Sequence, residues 1–510
     1  MSARTGVAAL TGLAALLRFS TLDRESLWFD EAVTVVDVLR PSFGATMEAL
    51  SRADPTPPLY YALLWVWTQV SGTDEVGVRS LSALCGTLTV PVIYAAAAQL
   101  TASRRAGLAT AAVVAVNPLL VWYSQETRAY ALLTLAVALS LLAFARALED
   151  PRPGTLALWA GAAALALLTH YFAVFLVAAE GLWLLAATRP RVAVLAAGAP
   201  LVVVGLGLGL LARHQAPTAG ITWVHDLSSE LRVREVPLRF VAGPRLGGVW
   251  GSALALGALL CSLPFLAGIV AGIRRQVGSV RGAPARRPMT DETHSSPDGF
   301  SERRLRCALA VASGLAAAVV FTPLLLAATG VLDVFFYRYI LPAALPLAVV
   351  IGALTAMARH GRRRIALLTA LCLLFLVLDV SMVLTPSAHR EDWRAAAAAL
   401  GPPRGDRLLA VMPFFAREPL EFYGHRLAPP PPTPMPVSEV VIVGIVGLPP
   451  AQRLPAPAAP AGFERVPVDE PGGLSMVRFR ATGDQLVTAA DVAQQLDLDA
   501  TYGVDSRPPR

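Results

Sequence analysis

The feature that most constrains this chain is the recurrence of long apolar runs broken by short, arginine-bearing loops. Runs of roughly 17 to 25 apolar residues match the length a helix needs to cross a bilayer. A chain that repeats them from Val7 to Leu384 reads as a polytopic α-helical membrane protein. Composition agrees. Of 510 residues, 55% are hydrophobic and 15% charged, where soluble proteins carry roughly a quarter charged; the mean hydropathy is +0.56. The first run has a basic start and a short apolar core, as a signal peptide does. Leu17-Arg18-Phe19 follows that core with no small-residue cleavage site, so the segment reads as a retained helix.

The net charge of +7 comes from a basic set that is entirely Arg, most of it in short loops. There it sets topology, and no nucleic-acid partner is implied. Arg104 and Arg105 close the run 79–100, and Arg146 with Arg152 closes the run from 128. The positive-inside rule puts both clusters in the cytoplasm. That holds only if the aromatic stretch 57–70 does not cross, so it reads as interfacial, together with short helices over 32–39 and 43–50 in the first outer loop. The run 156–187 is short for two full spans and reads as two tilted or half-length helices meeting at His170. Parity then gives about eleven spans, an N-terminus in the cytoplasm and a C-terminal part outside. An outer loop over 213–249 carries Trp223, His225 and Asp226, with Trp250 at its end, and gives no interpretable pattern. Arg274–Arg306 is rich in Arg, Pro and Ser and reads as a disordered cytoplasmic linker.

Residues 1–384 therefore form a transmembrane domain. From Thr385 the pattern becomes that of a small extracytoplasmic α/β domain, 385–480, with strands over 408–413 and 440–445 and helices over 395–400 and 417–423. The proline run Pro429–Pro436 reads as a stiff connector, and 481–510 as a weakly structured tail. Cys85, Cys261, Cys307 and Cys372 lie in apolar segments without metal-like spacing, so no disulfide is expected.

On this topology the polar residues that interrupt the apolar pattern fall on one side: Asp30-Glu31, Asp54, Gln125-Glu126-Arg128, His170 and Arg338. Charges at a membrane surface or within it are costly, so each is a candidate functional group. Asp30 and Glu31 follow Trp28 and Phe29; a carboxylate shielded by those rings has its ionised form penalised, which suits a general base. Two adjacent carboxylates equally suit a divalent ion, Mg²⁺ or Mn²⁺, or simple solvation in a loop, and the residues alone leave these open. Arg128 and Arg338 stand on the outer side against the charge bias. Guanidinium groups bind phosphate bidentately, so a lipid phosphate would account for them; so would pairing with Glu126 and Asp333. His170 is either a satisfied buried histidine or a substrate or metal contact. Tyr60, Tyr61, Trp65 and Trp67 fit an interfacial aromatic belt.

Trp28-Phe29-Asp30-Glu31, Asp54-Pro55-Thr56-Pro57-Pro58-Leu59-Tyr60-Tyr61 and Tyr123-Ser124-Gln125-Glu126-Thr127-Arg128-Ala129-Tyr130 occur in that order. Thr169-His170-Tyr171, Tyr337-Arg338-Tyr339-Ile340-Leu341-Pro342 and Asp392-Trp393-Arg394 follow. Together they resemble the bacterial GT-C glycosyltransferases of the glycosyltransferase 39 group, akin to protein mannosyltransferases and the lipid A aminoarabinose transferase. The resemblance covers residues 1–425. It implies an enzyme of the bacterial cytoplasmic membrane that moves a sugar, a hexose such as mannose, from a polyprenyl-phosphate donor to a glycan, lipid or protein acceptor, with inversion, on the extracytoplasmic face. By the same resemblance Asp30 is the catalytic carboxylate, Arg128 and Arg338 contact the donor phosphate, and Tyr123, Gln125, Glu126 and Tyr130 line the cavity. Many relatives have His before the Pro-Pro pair. Here Thr56 stands there, which removes a histidine-dependent metal or phosphate contact. A transporter or flippase of polyprenyl-linked glycans, or a non-catalytic scaffold of an envelope complex, are the alternative expectations.

Overall fold

The computed structural model describes residues 2–189, 191–216, 224, 227–245, 252–263, 297–357, 361–412, 417–431, 433–446, 458–468, 471–483, 486–496 and 501–507. The expected linker falls outside these residues up to 296, as do Trp223, His225, Asp226, Trp250 and, within the proline run, Pro432.

The described residues of the first part of the chain form helices joined by loops. They comprise α1 (Ala3–Phe19), α2 (Phe29–Val33), α3 (Phe43–Ala53), α4 (Leu59–Ser71), α5 (Glu75–Thr101), α6 (Arg104–Val116), α7 (Pro118–Tyr123) and α8 (Tyr130–Glu149). Then come α9 (Pro153–Thr169), α10 (Ala173–Ala187), α11 (Arg191–Gln215), α12 (Ser229–Ala242), α13 (Ser252–Leu263), α14 (Pro297–Ala328), α15 (Ala344–Ala356) and α16 (Gly361–Leu384). Capping residues set the boundaries. Asp74, Ser103 and Asn117 each accept a backbone N–H three residues on, satisfying donors that a helix start leaves open. Asn117 with Pro118 at the first helical position divides the expected span 106–122 into α6 and α7.

By length and composition, α5, α8, α11, α14 (over Glu302–Ala328) and α16 are able to cross a membrane, and α9, α10, α13 and α15 are shorter apolar helices. Among the described residues fewer helices have that length than the eleven or so runs counted in the sequence, because several are short or broken and the run 251–273 lies outside the described residues except over 252–263. α1 has 17 residues, and the run 156–187 is two helices of 17 and 15 residues that meet at His170–Phe172. The segments 32–39, 43–50 and 57–70 form helical structure at one end of the bundle, as the pattern predicts.

α5 lies at the centre, against α1, α6 and α8, with α9 on the far side of α8 and α15 against α6. Gly86 of α5 lets the end of α7 and Arg18 of α1 come close. A Cβ there would fall 2.0 Å from Ser124 Oγ and 2.9 Å from Arg18 Nε. Arg18 is buried and spends its donors on Ser124 Oγ and the carbonyls of Ala14, Val114 and Ala115. Glu180 ties α8, α9 and α10 by accepting from Ser140 Oγ at 2.6 Å and Trp159 Nε1 at 2.9 Å, a polar link of the kind that joins helices in lipid.

The C-terminal domain is α/β. Its elements are α17 (Trp393–Leu400), β1 (Arg407–Met412), α18 (Arg417–Phe422), β2 (Arg426–Ala428), β3 (Met435–Pro436), β4 (Glu439–Ile445), β5 (Phe463–Val466), β6 (Leu474–Ala481), β7 (Leu486–Val487), α19 (Ala489–Gln495) and β8 (Thr501–Ser506). The main sheet runs β2-β8-β1-β4-β6-β5, with β1 and β4 parallel. Leu409, Val411, Val441 and Val443 pack on Trp393, Leu400 and Leu420, while Leu408, Ala410, Val440 and Ile442 pack on Val492 and Leu496. Alternate residues thus serve the two faces, and a sheet covered on both sides reads as continuous apolar strands. The expectation of a weakly structured tail over 481–510 is corrected. β8 lies between β1 and β2, and its Asp505, fully buried, accepts from Arg407 Nη1 at 2.7 Å and lies 3.0 Å from His425 Nδ1.

Candidate active site

The site assembles where the segments α2–α4, the loop 124–129, the loop 333–340 and the start of the C-terminal domain meet. α2 opens directly after Trp28, so consecutive residues turn about 100° apart. The two carboxylates therefore reach different surroundings.

Glu31 faces inward and is fully buried. Arg79 Nε donates to its Oε1 at 2.8 Å and Arg79 Nη2 to its Oε2 at 2.6 Å. Arg390 Nη1 and the Thr127 N–H add bonds at 2.9 Å each. Burial alone would raise its carboxyl, but Arg79, Arg390 and the Thr127 N–H outweigh that and hold it below the ordinary value. This corrects the expectation that Glu31 is a second working carboxylate: its acceptor sites are spent on structure. A divalent ion shared by Asp30 and Glu31 does not fit either, since Glu31 has neither oxygen to give. Among the described residues no group of three or more His, Cys, Asp or Glu is placed to hold a metal.

Asp30 keeps a side chain 21% exposed, and Arg338 Nη1 donates to its Oδ2 at 3.3 Å. Its main-chain carbonyl accepts from Thr34 Oγ1 at 3.0 Å and Arg128 Nη1 at 3.4 Å. Arg128 is anchored by an ion pair with Asp54 and donates to Tyr61 Oη at 3.1 Å. Asp54 in turn accepts from Tyr61 Oη at 2.8 Å and from Thr56 Oγ1. Gln215 at the end of α11 donates to the main-chain carbonyl of Asp54 at 2.9 Å. The pairings weighed from sequence are replaced: Arg128 takes Asp54 and not Glu126, Arg338 takes Asp30, and Asp333 takes Arg232.

The aromatic wall comes from three loops. Tyr123 and Tyr130 lie 4.5 Å apart, His170 lies 5.7 Å from Tyr130, and Tyr339 lies 6.3 Å from His170 and stacks on Phe172 at 4.6 Å. His170 Nδ1 accepts the Phe172 N–H at 3.3 Å, which leaves the ring hydrogen on Nε2. Tyr60 instead bonds Ser82 at 3.0 Å, a link between α4 and α5. Gln125 also turns away from the site: its amide donates to the carbonyls of Leu17 and Arg18 and to Thr21 Oγ1, closing the end of α1.

Glu126 sits behind Asp30. Its Oε1 accepts from Trp122 Nε1 at 2.7 Å and Arg390 Nη2 at 2.6 Å, while Oε2, buried, has no hydrogen-bond partner among the described residues. Burial pushes its carboxyl up to about 7; Arg390 opposes the rise, and Glu31 and Asp30 add to it.

Sequence reasoning missed Arg79 and Arg390, which seat the whole segment. Arg390 stacks over Trp122 and Trp28, with guanidinium-to-ring distances of 4.5 Å and 5.5 Å, and pairs with Glu31, Glu126 and Glu25. The C-terminal domain adds further ties to the same loop. Ser26 Oγ donates to the Glu391 carbonyl at 2.7 Å, and Tyr423 Oη accepts the Leu27 N–H at 2.9 Å. The available signal was Arg390-Glu391-Asp392-Trp393-Arg394, a dense charged run just past the last apolar helix.

Residues 55–214 match the family model described as dolichyl-phosphate-mannose-protein mannosyltransferase, a segment that contains Tyr60, Arg128 and His170. Among solved structures, ArnT from Cupriavidus metallidurans in the apo state is similar with a TM-score of 0.56. The structure of that protein bound to undecaprenyl phosphate gives 0.51. Both are 14% identical, with 94% of this chain and 98% of that chain covered. No curated protein matches the chain in sequence. The expected fold is borne out: the chain shares the fold of these ArnT structures, with helices long and apolar enough to cross a membrane and a strand-containing C-terminal domain.

Proposed function

We propose that this chain is an inverting glycosyltransferase that moves a sugar, a hexose such as mannose, from a polyprenyl-phosphate donor to an acceptor hydroxyl on the extracytoplasmic face of a bacterial cytoplasmic membrane. One observation carries the reading. Glu31, Asp54 and Glu126 have side chains at most 3% exposed and held by guanidinium groups, while Asp30 is 21% exposed with one 3.3 Å contact, to Arg338; Glu25, equally exposed, pairs with Arg390 and opens on the cavity beside Arg24, away from Arg128 and Arg338. Asp30 is thus the acid–base group a substrate can reach, and two arginines adjoin it.

In the proposed step the acceptor oxygen attacks the anomeric carbon as its proton passes to Asp30. The bond from that carbon to the phosphate oxygen breaks, and the polyprenyl phosphate leaves with the electron pair. Arg338 and Arg128 would offset the charge on the departing phosphate. Such positioning of base and leaving group on opposite sides of the sugar is what inversion requires. The arginine-rich loops support an N-terminus in the cytoplasm and a C-terminal domain outside.

The test uses the purified full chain and Asp30→Asn, both checked for folding, with radiolabelled polyprenyl-phosphate mannose and membrane extract as the acceptor source. Transfer by the wild type, reduced about 10²- to 10⁴-fold in the variant, is the expected result. Transfer unaffected by Asp30→Asn would remove Asp30 from the mechanism. If the wild type moved none of several lipid-linked sugars, the enzyme reading would fail.

A further inference from the structure

Five carboxylates (Glu25, Asp30, Glu31, Asp54, Glu126) and four guanidinium groups (Arg79, Arg128, Arg338, Arg390) gather in ion pairs around the site. Among these groups the acids outnumber the bases by one. A buried cluster that cannot balance its charge takes up a proton at its worst-served acid. Glu25 and Asp30 are partly open to water. Both oxygens of Glu31 are taken by Arg79, with Arg390 and the Thr127 N–H added, and both of Asp54 by Thr56, Tyr61 and Arg128. Of the five, Glu126 alone has an oxygen, Oε2, that is buried with no hydrogen-bond partner among the described residues.

Charge faces Glu126 from several elements. Arg390, at the start of the C-terminal domain, and Trp122 of α7 both donate to its Oε1. Glu31 and Asp30 of α2 act on it as negative charges, and the Tyr123 phenol of α7 lies within range. Arg79 of α5 and Glu25 reach it only through Glu31 and Arg390. Arg18 of α1 and Asp379 of α16 act on each other. A cavity of about 220 Å³ opens beside Ser20, Thr21 and the exposed Arg24, and Trp122 and Arg390 wall it. Water thus comes up to the two side chains that bond Glu126 in a space that Asp30, Arg128 and Arg338 do not line. That gives the proton of Glu126 an exchange route separate from the donor's.

A polyprenyl-phosphate donor brings one more negative charge to this corner. It meets Arg338 beside Asp30, and Asp30 lies within electrostatic range of Glu126. We propose that donor binding and protonation of Glu126 are coupled: the phosphate anion is held more tightly when Glu126 is a neutral acid, and its arrival draws a proton onto Glu126. Glu126 then sets donor affinity without touching the donor. The inference rests on the polyprenyl-phosphate reading above. The coupling is about tenfold, the effect of two unit charges about 10 Å apart at an effective dielectric of about 20. Because the free site holds Glu126 at about 7, affinity is full below that pH and falls as pH rises from about 7 to 9.

Isothermal titration calorimetry of the full chain in micelles, with the methyl diester of a short-chain polyprenyl phosphate, reads this without turnover or knowledge of the sugar. That diester keeps a single charge across the range, so any pH dependence belongs to the protein. Heats compared in buffers of different ionisation enthalpy should show uptake of about half a proton per ligand near pH 7.5 and almost none at about pH 5.5. Glu126→Gln should abolish both the uptake and the tenfold loss of affinity at high pH. Trp122→Phe removes a donor that favours the carboxylate and should move the step to higher pH; it keeps the coupling testable should the glutamine variant not fold. Binding without proton uptake, or uptake unchanged in both variants, overturns the coupling and leaves the donor reading intact. No binding of the diester at any pH overturns the donor reading and this inference with it.

Discussion

Replacing Glu31 with Gln tests whether the segment bearing Asp30 rests on a buried ion cluster. Glutamine keeps the shape of the side chain and one carbonyl acceptor. It leaves Arg79 and Arg390, with side chains 2% and 5% exposed, facing a neutral amide. Were this pair solvated, its loss would cost about 0–1 kcal/mol; removing one partner of a buried, hydrogen-bonded pair costs about 3–5 kcal/mol. Arg390 retains Glu126 and Glu25 after the change, so the lower end, about 3 kcal/mol, is expected. Arg390→Gln cuts the same bond from the side of the C-terminal domain. The two substitutions share an interaction, so in a double-mutant cycle they should fall short of additivity by about 1–3 kcal/mol. Denaturant unfolding in mixed micelles near neutral pH measures both quantities. The pH dependence has a fixed sign. Because the Glu31 carboxyl is held below its ordinary value of 4.5, its contribution is full above that pH and is lost as pH falls below it. The advantage of wild type over Glu31→Gln must therefore shrink in acid. A loss under about 1 kcal/mol, strict additivity, or an advantage that grows in acid would refute the buried-cluster argument.

Glu126 has the opposite sign. With its carboxyl raised to about 7 from 4.5, the folded state holds a proton that the unfolded state has released, so stability falls as pH rises through that window. The penalty is at most about 3 kcal/mol, and unfolding free energies of wild type and Glu126→Gln from pH 5 to 8 should diverge accordingly; parallel profiles would contradict it. Arg128→Gln and Arg338→Gln should separate stability from ligand binding. The first strands buried Asp54 and should cost about 3–5 kcal/mol, while the second breaks a longer, partly exposed contact at 3.3 Å and should cost less, yet should lose retention of polyprenyl phosphate. Thermal unfolding together with native mass spectrometry checks both, and equal stability losses would undo the distinction. Truncation after residue 500 removes β8, exposes an edge of β1 and leaves Arg407 without Asp505. Limited proteolysis should then cut within 401–500, and resistance like that of the full chain would return the tail to a peripheral role.

Much of the fold was legible because lipid imposes a strong rule on sequence: runs of apolar residues, ends marked by arginine, and polar residues only where something needs them. The meeting of Asp30, Asp54, Arg128 and Arg338 agrees with parity, which assigns the segment of each to the same end. What escaped notice did so for physical reasons. Arg79 stands at the start of an apolar helix, where an arginine reads as a topology signal, although it faces inward. Arg390 reaches Glu31 across 359 residues of chain, and no local pattern announces such a contact. Asp30 and Glu31 could not be told apart, because neighbouring helical residues differ only in direction. Thr501–Ser506 carries Gly503, Asp505 and Ser506 and lacks the apolar run of a buried strand, so its place inside the sheet, between β2 and β1, depends on those strands and on Arg407.

The arrangement around Asp30 also bears on how a resting site avoids wasted chemistry. A charge-assisted bond between guanidinium and carboxylate settles at about 2.7–2.9 Å, whereas Arg338 and Asp30 are 3.3 Å apart and both partly open. The other arginines of the site are locked: Arg79 by two bonds to Glu31, Arg128 by Asp54, Arg390 by Glu31 and Glu126. Arg338 is the guanidinium in contact with the accessible Asp30 carboxylate, and so the one an incoming anion would meet beside it. A phosphate offers it a bidentate partner, which one carboxylate oxygen at long range does not. On the glycosyltransferase reading, donor binding then does two things at once. It neutralises the phosphate that will leave, and it frees the Asp30 carboxylate from its guanidinium contact, so that the acceptor hydroxyl can take that place only when a donor is present. The buried cluster beneath makes this exchange local. With Glu31 clamped from both sides, loss of the Arg338 contact changes the electrostatics of Asp30 without releasing the helix that carries it.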